Sequence, residues 1–75
     1  MKNKRNFTAI IEKEGNMYVA LCPELDIASQ GNNVEEASEN LREAIELFLE
    51  SASPSEIQER LHTDFFVTQL EVNFG

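Results

Sequence analysis

The residues with the strongest nucleophilic or metal-binding chemistry are Cys22 and His62, each the single residue of its type. A Cys–His pair can supply a nucleophile and its base, and either side chain can ligate zinc. However, His62 has no second His or Cys at metal-ligand spacing, and Cys22 stands beside Pro23 at the end of a β-rich run, where a small buried residue is usual. We therefore predict a buried structural role for Cys22 and a structural or solvent-exposed role for His62, with no catalytic, metal or cofactor site.

Carboxylates are the other candidates, since clustered Asp and Glu residues hold the cations of two-metal nucleases. Most of them fall on one predicted helix, opposite its apolar residues, as on an ordinary solvated helix face: Glu35, Glu36, Glu39, Glu43, Glu46 and Glu50. The last two oppose the helix dipole, and a face shaped only by helix stability would mix charges of both signs. Two interpretations stay open, namely solubility alone or selection for a basic partner.

The balance of charge excludes some classes of partner. The 75 residues contain 14 Asp and Glu against 6 Lys and Arg, a formal net charge of −8. Such a surface repels phosphate backbones and attracts basic proteins, so we predict a protein partner and no direct binding of nucleic acid. A single cysteine, with no signal-peptide core and no apolar run of about 18 residues, predicts a cytoplasmic protein without a membrane segment.

The elements that must position these residues form one predicted domain, residues 1–75. Residues 7–12 and 17–22 are rich in β-forming side chains and flank turn residues, which predicts a β-hairpin. Pro23 should end the second strand because it has no N–H to donate. A short third strand is predicted at residues 27–30, with Gly31 allowing a tight turn after it.

A long helix over residues 34–51 follows, opened by Asn33 as N-cap with Glu36 three residues later. Its apolar residues recur at three- and four-residue spacing, so one stripe should pack on the sheet. The centre of that stripe is predicted at Leu41, Ile45 and Phe48.

A short helix over about residues 54–61 begins with Ser53 and Pro54, and alternating residues 65–74 predict a half-buried last strand. The result is an α+β fold, β-β-β-α-(α)-β, in which an antiparallel meander is covered by one long helix. Because apolar residues occupy both faces of the last strand, we predict a homodimer through a sheet edge or this strand. Its candidate interface residues are Phe65 and Val67.

Several motifs in the sequence resemble the HicB family of antitoxins. They are Cys-Pro-Glu-Leu at residues 22–25, Ser-Gln-Gly at 29–31, Glu-Glu-Ala at 35–37 and Leu-Arg-Glu-Ala-Ile at 41–45. Each motif alone is weak, but the combination is specific and spans about residues 7–50.

The resemblance implies a partial RNase H-like fold and partnership with HicA, a small basic toxin that cleaves messenger RNA and whose active site the antitoxin covers. RNase H enzymes need metal-binding acids that HicB-like proteins generally lack, and the predicted strands carry no such set. Longer HicB proteins add a DNA-binding domain, whereas no basic recognition segment follows residues 65–74. We therefore expect neither enzymatic activity nor operator binding.

Two functions stay open. The first is an antitoxin that docks its toxin through acidic surfaces, and the second is an orphan HicB-like homo-oligomeric adaptor or ligand-binding module without a toxin. A neighbouring gene for a short basic protein would favour the first. The acidic surfaces are a loop with Glu24 and Asp26, expected to protrude and mask the active site, and the helix face of Glu35, Glu39, Glu43 and Glu46, expected to accelerate encounter.

Overall fold

The computed structural model describes residues 4–75 and has the element order β-β-β-α-α. The strands are β1 (Ile10–Glu14), β2 (Met17–Cys22) and β3 (Ile27–Gly31), and the helices are α1 (Val34–Ser51) and α2 (Pro54–Arg60). The α+β class, the hairpin and both helices are thereby confirmed. The first three residues of the predicted domain lie outside the described part.

The three strands form one antiparallel sheet in the order β1-β2-β3. Ile10 pairs with Leu21 at one end of the hairpin and Glu14 with Met17 at the other, so Gly15 and Asn16 make a two-residue turn. Gly15 has a φ of 61°, which fits the first central position of a type II′ turn. β1 begins at Ile10, three residues later than predicted, and in its register residues 7 and 8 lie beyond the end of β2 at Cys22 and have no β2 residue opposite them.

The core lies between α1 and one face of the sheet. Six hydrophobic side chains are buried there: Ala20, Cys22, Leu25, Ala37, Leu41 and Ile45. The three from α1 recur every four residues, as one stripe of an amphipathic helix must. Leu41 and Ile45 are central, as predicted, and Phe48 is half-buried at the margin of the cluster. α1 packs mainly on β3 and β2, so the β1 side of this sheet face is less covered.

Gly31 has a different role from the one predicted. It is the buried last residue of β3, and a Cβ built on it would lie 2.5 Å from the backbone nitrogen of Ala37. No side chain fits in that distance, so glycine is required by the close approach of α1 to β3 and not by a turn. The same junction is held by Asn40, whose Nδ2 donates to the carbonyl oxygen of Gln30 at 2.8 Å.

The predicted last strand is wrong for this chain. Residues 65–74 have no helix, strand or turn assignment, and their large apolar side chains face solvent, with Phe66 90%, Leu70 81% and Phe74 96% exposed. Only Phe65 is half-buried, on the face that we expected to point outward. The alternation records a tendency to form a strand, but a strand also needs a neighbour to pair with. We refer to residues 62–75 as the C-terminal tail.

Candidate functional site

The outer side of α1 carries a row of exposed carboxylates that we call the acidic stripe. Its members are three or four residues apart, so they follow one side of a helix with 3.6 residues per turn: Glu35, Glu39, Glu43, Glu46 and Glu50. All five are exposed, and they lie opposite the buried residues of α1. The stripe therefore includes the four helix glutamates predicted to bind a partner, in one continuous row.

Arg42 is the basic residue that lies beside the stripe. Its guanidinium bonds to the Glu39 carboxylate and, at 2.8 Å, to that of Glu46. The hydrogen bond from Arg42 lowers the pKa of Glu39, and the same contact with the additional charge of Glu46 raises the pKa of Arg42. The salt bridges within residues 4–75 are these two. Arg42 thus pairs with two of the five carboxylates, and the stripe keeps a large excess of negative charge.

Glu36 is not part of the stripe because its carboxylate is used in the start of α1. The Asn33 side chain accepts a hydrogen bond from the amide of Glu36 at 2.7 Å, and the Glu36 carboxylate accepts from the amide of Asn32 at 2.9 Å. This reciprocal capping satisfies amide groups that have no partner within the helix. It fixes the first turn of α1 and so the position at which the acidic stripe begins.

The expectation that Glu24 protrudes is wrong. Its side chain is only 8% exposed, and its carboxylate accepts a hydrogen bond from the backbone amide of Thr8 at 2.8 Å and contacts Cys22 Sγ at 3.4 Å. A buried carboxylate must satisfy its hydrogen-bonding capacity within the protein, and this one does so with the segment that leads into β1. Glu24 therefore positions the loop and is not a surface acid.

Burial and hydrogen bonding act in opposite directions on the pKa of Glu24. Loss of hydration raises it, but hydrogen bonds from the amides of Glu24 itself and of Thr8 outweigh burial, so that the pKa lies below its ordinary value. For Cys22, burial dominates and raises the thiol pKa. The acid is thus held charged and the thiol neutral, the opposite of what a nucleophilic cysteine requires.

Arg60, which the sequence analysis did not single out, fastens α2 to the same loop. Its guanidinium donates to the carbonyl oxygens of Leu25 at 2.7 Å and Asp26 at 3.2 Å, and it lies 5.1 Å from the ring centre of Phe48. The amide of His62 donates to the carbonyl oxygen of Glu24 at 2.7 Å. The loop over residues 23–26 is therefore held from three sides, and we call it the clamped loop.

Asp26 is the acidic residue of the clamped loop that does reach solvent. It is exposed and has a φ of 55°, a left-handed conformation that Asp and Asn tolerate better than most residues. The prediction that the loop exposes its acidic side chains is thus confirmed for Asp26 and wrong for Glu24.

Cys22 and His62 occupy different environments, the thiol buried and the imidazole exposed. Within residues 4–75, no group of three or more His, Cys, Asp or Glu residues is arranged to hold a metal ion. In the same part of the chain, no helix has the length and apolar character needed to cross a membrane.

The fold and these surfaces define a small α+β protein with a meander, one covering helix and an acidic outer face. The chain is 37% identical over 68 residues to a UPF0150 protein of Helicobacter pylori strain J99, covering 89% of this chain and 94% of that protein. It therefore belongs to the UPF0150 family. A UPF0150 protein of Thermotoga maritima is 45% identical over 56 residues, covering 69% of this chain and 75% of that protein.

A UPF0150 protein of Synechocystis sp. strain PCC 6803 is 50% identical over 48 residues, which is 61% of each chain. No family model matches the chain. No solved structure matches it either.

Proposed function

We propose that this chain is a HicB-like antitoxin, a protein that binds a small basic HicA-type toxin and blocks its cleavage of messenger RNA. It acts by occlusion of the toxin's active site, without hydrolytic activity of its own. The observation that carries the proposal is the acidic stripe, a row of five exposed carboxylates beside a single arginine. Two of the four motifs that resemble HicB lie on α1 and contribute Glu35 and Glu43 to the stripe, and the meander beneath α1 is compatible with a partial RNase H-like fold.

The stripe suits a basic partner for a physical reason. Uncompensated charge of one sign, arranged along one side of the molecule, attracts an oppositely charged protein over several ångströms and accelerates productive encounter. Such exposed charges contribute less to the lifetime of the complex because salt screens them. Contacts nearer the toxin's active site must supply that lifetime, and Asp26 remains the acidic candidate for this role since Glu24 is buried.

The proposal also covers the compartment and self-association. A reducing cytoplasm suits a protein whose one cysteine is buried as a free thiol. A second copy of the chain is the other expected partner, through a sheet edge or residues 65–74, with Phe65 and Val67 as candidates. A core of six buried hydrophobic side chains is small, and association is a common way to stabilise such a core.

The direct test is RNA cleavage by the HicA-type toxin encoded next to this chain, with and without a molar excess of the protein. We expect the excess to suppress cleavage. If the toxin cuts RNA at the same rate in both reactions, or if no such toxin gene neighbours this one, the antitoxin proposal fails and the homo-oligomeric adaptor replaces it.

The role of the stripe is tested separately by association kinetics. Changing Glu35, Glu39, Glu43 and Glu46 to Gln should slow association with the toxin and weaken the dependence of the rate on salt. The matched control changes four exposed glutamates elsewhere, Glu12, Glu14, Glu56 and Glu59, and alters the net charge by the same amount. Equal slowing in both variants would mean that net charge, not the stripe, attracts the toxin.

A further inference from the structure

The C-terminal tail carries most of the apolar surface that lacks a partner. Five of the eight exposed large hydrophobic residues in the described chain belong to it: Phe66, Val67, Leu70, Val72 and Phe74. A contiguous exposed apolar segment on a small protein marks an interaction surface. Isolated exposed residues of the same type would need no such explanation.

The tail extends away from the body of the molecule. The radius of gyration is 14.6 Å, whereas a compact chain of this length has about 11 Å. The longest dimension is 52 Å against 29 and 19 Å for the other two. Ten residues in strand geometry span about 30 Å, which is enough to account for the longer dimension.

The order of residues in the tail is that of a strand with one apolar face. Phe66, Leu70, Val72 and Phe74 share one side with Thr68, while the other side becomes polar beyond Val67. Such a segment has a face to bury and a row of backbone groups to pair. Within its own chain, residues 65–67 border a pocket with residues 8–10, but the tail pairs with no strand of residues 4–75 and only Phe65 is half-buried.

The sheet offers the complementary feature at β1. This strand pairs with β2 on one side only, and α1 covers mainly the other two strands. A groove of about 560 Å³ therefore lies open between α1 and the segment before β1, lined by Phe7 and Ala9 on one side and by Ile45 and Leu49 on the other. Ile10, the first residue of β1, is 44% exposed beside this edge.

We propose that the tail of one copy pairs with the β1 edge of a second copy, and the reverse, in a strand-exchanged homodimer. Leu70, Val72 and Phe74, which follow the residues that border their own chain, enter the groove of the partner subunit, and the polar face of the tail points to solvent. Each copy has a strand-forming tail without a strand to pair with and a β1 edge without a neighbouring strand. The tail of each copy can therefore pair with β1 of the other in a closed, two-fold arrangement.

Charge favours this edge over the rest of the surface. Two copies of a chain with net charge −8 repel each other in general. Residues 4–14, however, contain Lys4, Arg5 and Lys13 against Glu12 and Glu14, three basic residues minus two acidic ones, so this edge does not share the strong negative charge of the chain. Lys4 and Arg5 border the groove itself, together with Arg42 and Glu46 of α1. Residues 65–74 contain a single charge, that of Glu71. An edge with nearly balanced charges attracts a basic toxin much less than the acidic stripe does.

Sedimentation equilibrium of the full chain tests the proposal with two lysine variants of neighbouring residues. Leu70→Lys places a charge on the apolar face of the tail and should weaken dimerisation by about 100-fold or more, since each dimer buries two such residues. Gln69→Lys adds the same charge on the polar face and should leave the dimer intact. Amide exchange in β2 verifies that both variants are folded.

A mixed-labelled NMR sample then locates the contact, through intermolecular NOEs between residues 66–74 of one copy and residues 4–13 of the other. A monomer at micromolar concentration, equal effects of both lysine variants, or tail contacts confined to a single chain would each overturn the exchange. These measurements use the protein alone, so they stand or fall independently of the RNA-cleavage test of the antitoxin proposal.

Discussion

The clamped loop and the C-terminal tail are two irregular segments with opposite physical states. In the loop, Leu25 is fully buried, the Glu24 carboxylate is hydrogen-bonded, and Arg60 holds the backbone. In the tail, Leu70 is 81% exposed and the backbone has no strand to pair with among the described residues. Irregular backbone can thus be buried and hydrogen-bonded where side chains satisfy it. A strand-like sequence, in contrast, can stay unpaired where no neighbour reaches it.

The largest difference between the two segments is expected when one leucine in each is replaced by alanine. Leu25→Ala should lower the free energy of unfolding by about 2–5 kcal/mol, a large part of the stability of so small a core. Leu70→Ala should leave it nearly unchanged, provided that urea unfolding is followed by circular dichroism in a dilute sample where association is negligible. Equal losses in the two variants would contradict the contrast between the segments.

The second test removes the contacts of Arg60 with the clamped loop. Arg60→Gln loses charge-assisted hydrogen bonds to two carbonyl oxygens and the contact with the Phe48 ring, which should cost about 1.5–3 kcal/mol of unfolding free energy. Arg42→Gln is the matched control, because its guanidinium contacts exposed carboxylates and the loss of exposed ion pairs should affect stability much less. If the two variants unfold at the same urea concentration, Arg60 does not hold the loop.

The third test follows the stability contributed by Glu24 with pH. Because its pKa is lower in the folded protein than in the unfolded chain, ionisation stabilises the fold. That contribution is complete above the unfolded pKa of about 4.3 and is lost as the pH falls through the folded value. Glu24→Gln should therefore cost about 1 kcal/mol at pH 7 and progressively less below pH 4. A difference from the parent that is constant between pH 7 and pH 3 would exclude this role.

The smallest effect is expected at Asp26, the exposed residue of the clamped loop. Asp26→Asn keeps the shape of the side chain and suits the left-handed φ of 55°, so the free energy of unfolding should change by less than about 0.5 kcal/mol. Thermal unfolding of parent and variant measures this directly. Weaker toxin binding by a variant of equal stability would then report on the surface itself, whereas a clear loss of stability would show that Asp26 also supports the loop.

Local signals were enough to predict α1. Asn33 caps the helix and Glu36 lies in its first turn, and the apolar spacing repeats within 18 residues. The predicted first and last residues of the helix therefore match those of the structure. The hairpin and α2 depend on equally short-range features. The acidic stripe follows from the same periodicity, and all four of its predicted members are exposed.

Long-range contacts explain what the sequence did not reveal. Glu24 is buried because Thr8, 16 residues away, donates to it, and the loop is held by Arg60, 35 residues after Leu25. No periodicity encodes such pairs. One basic residue at the end of α2, in a chain dominated by acids, was the available signal for Arg60. The tail was mispredicted for the converse reason, since its alternation is local but its partner is not.

The close approach of Gly31 to Ala37 fixes the first turn of α1 against β3, while the rest of the helix extends away from this contact. α1 begins at Val34, three residues after Gly31, and Glu50 lies about 24 Å along the helix from that start. A methyl group at position 31 would force the start of the helix away from β3, and the displacement would grow along its length. Because glycine has only a hydrogen atom in place of a side chain, α1 can pack this closely on β3. This close packing sets the angle between α1 and the sheet, and so the direction in which the row of carboxylates faces.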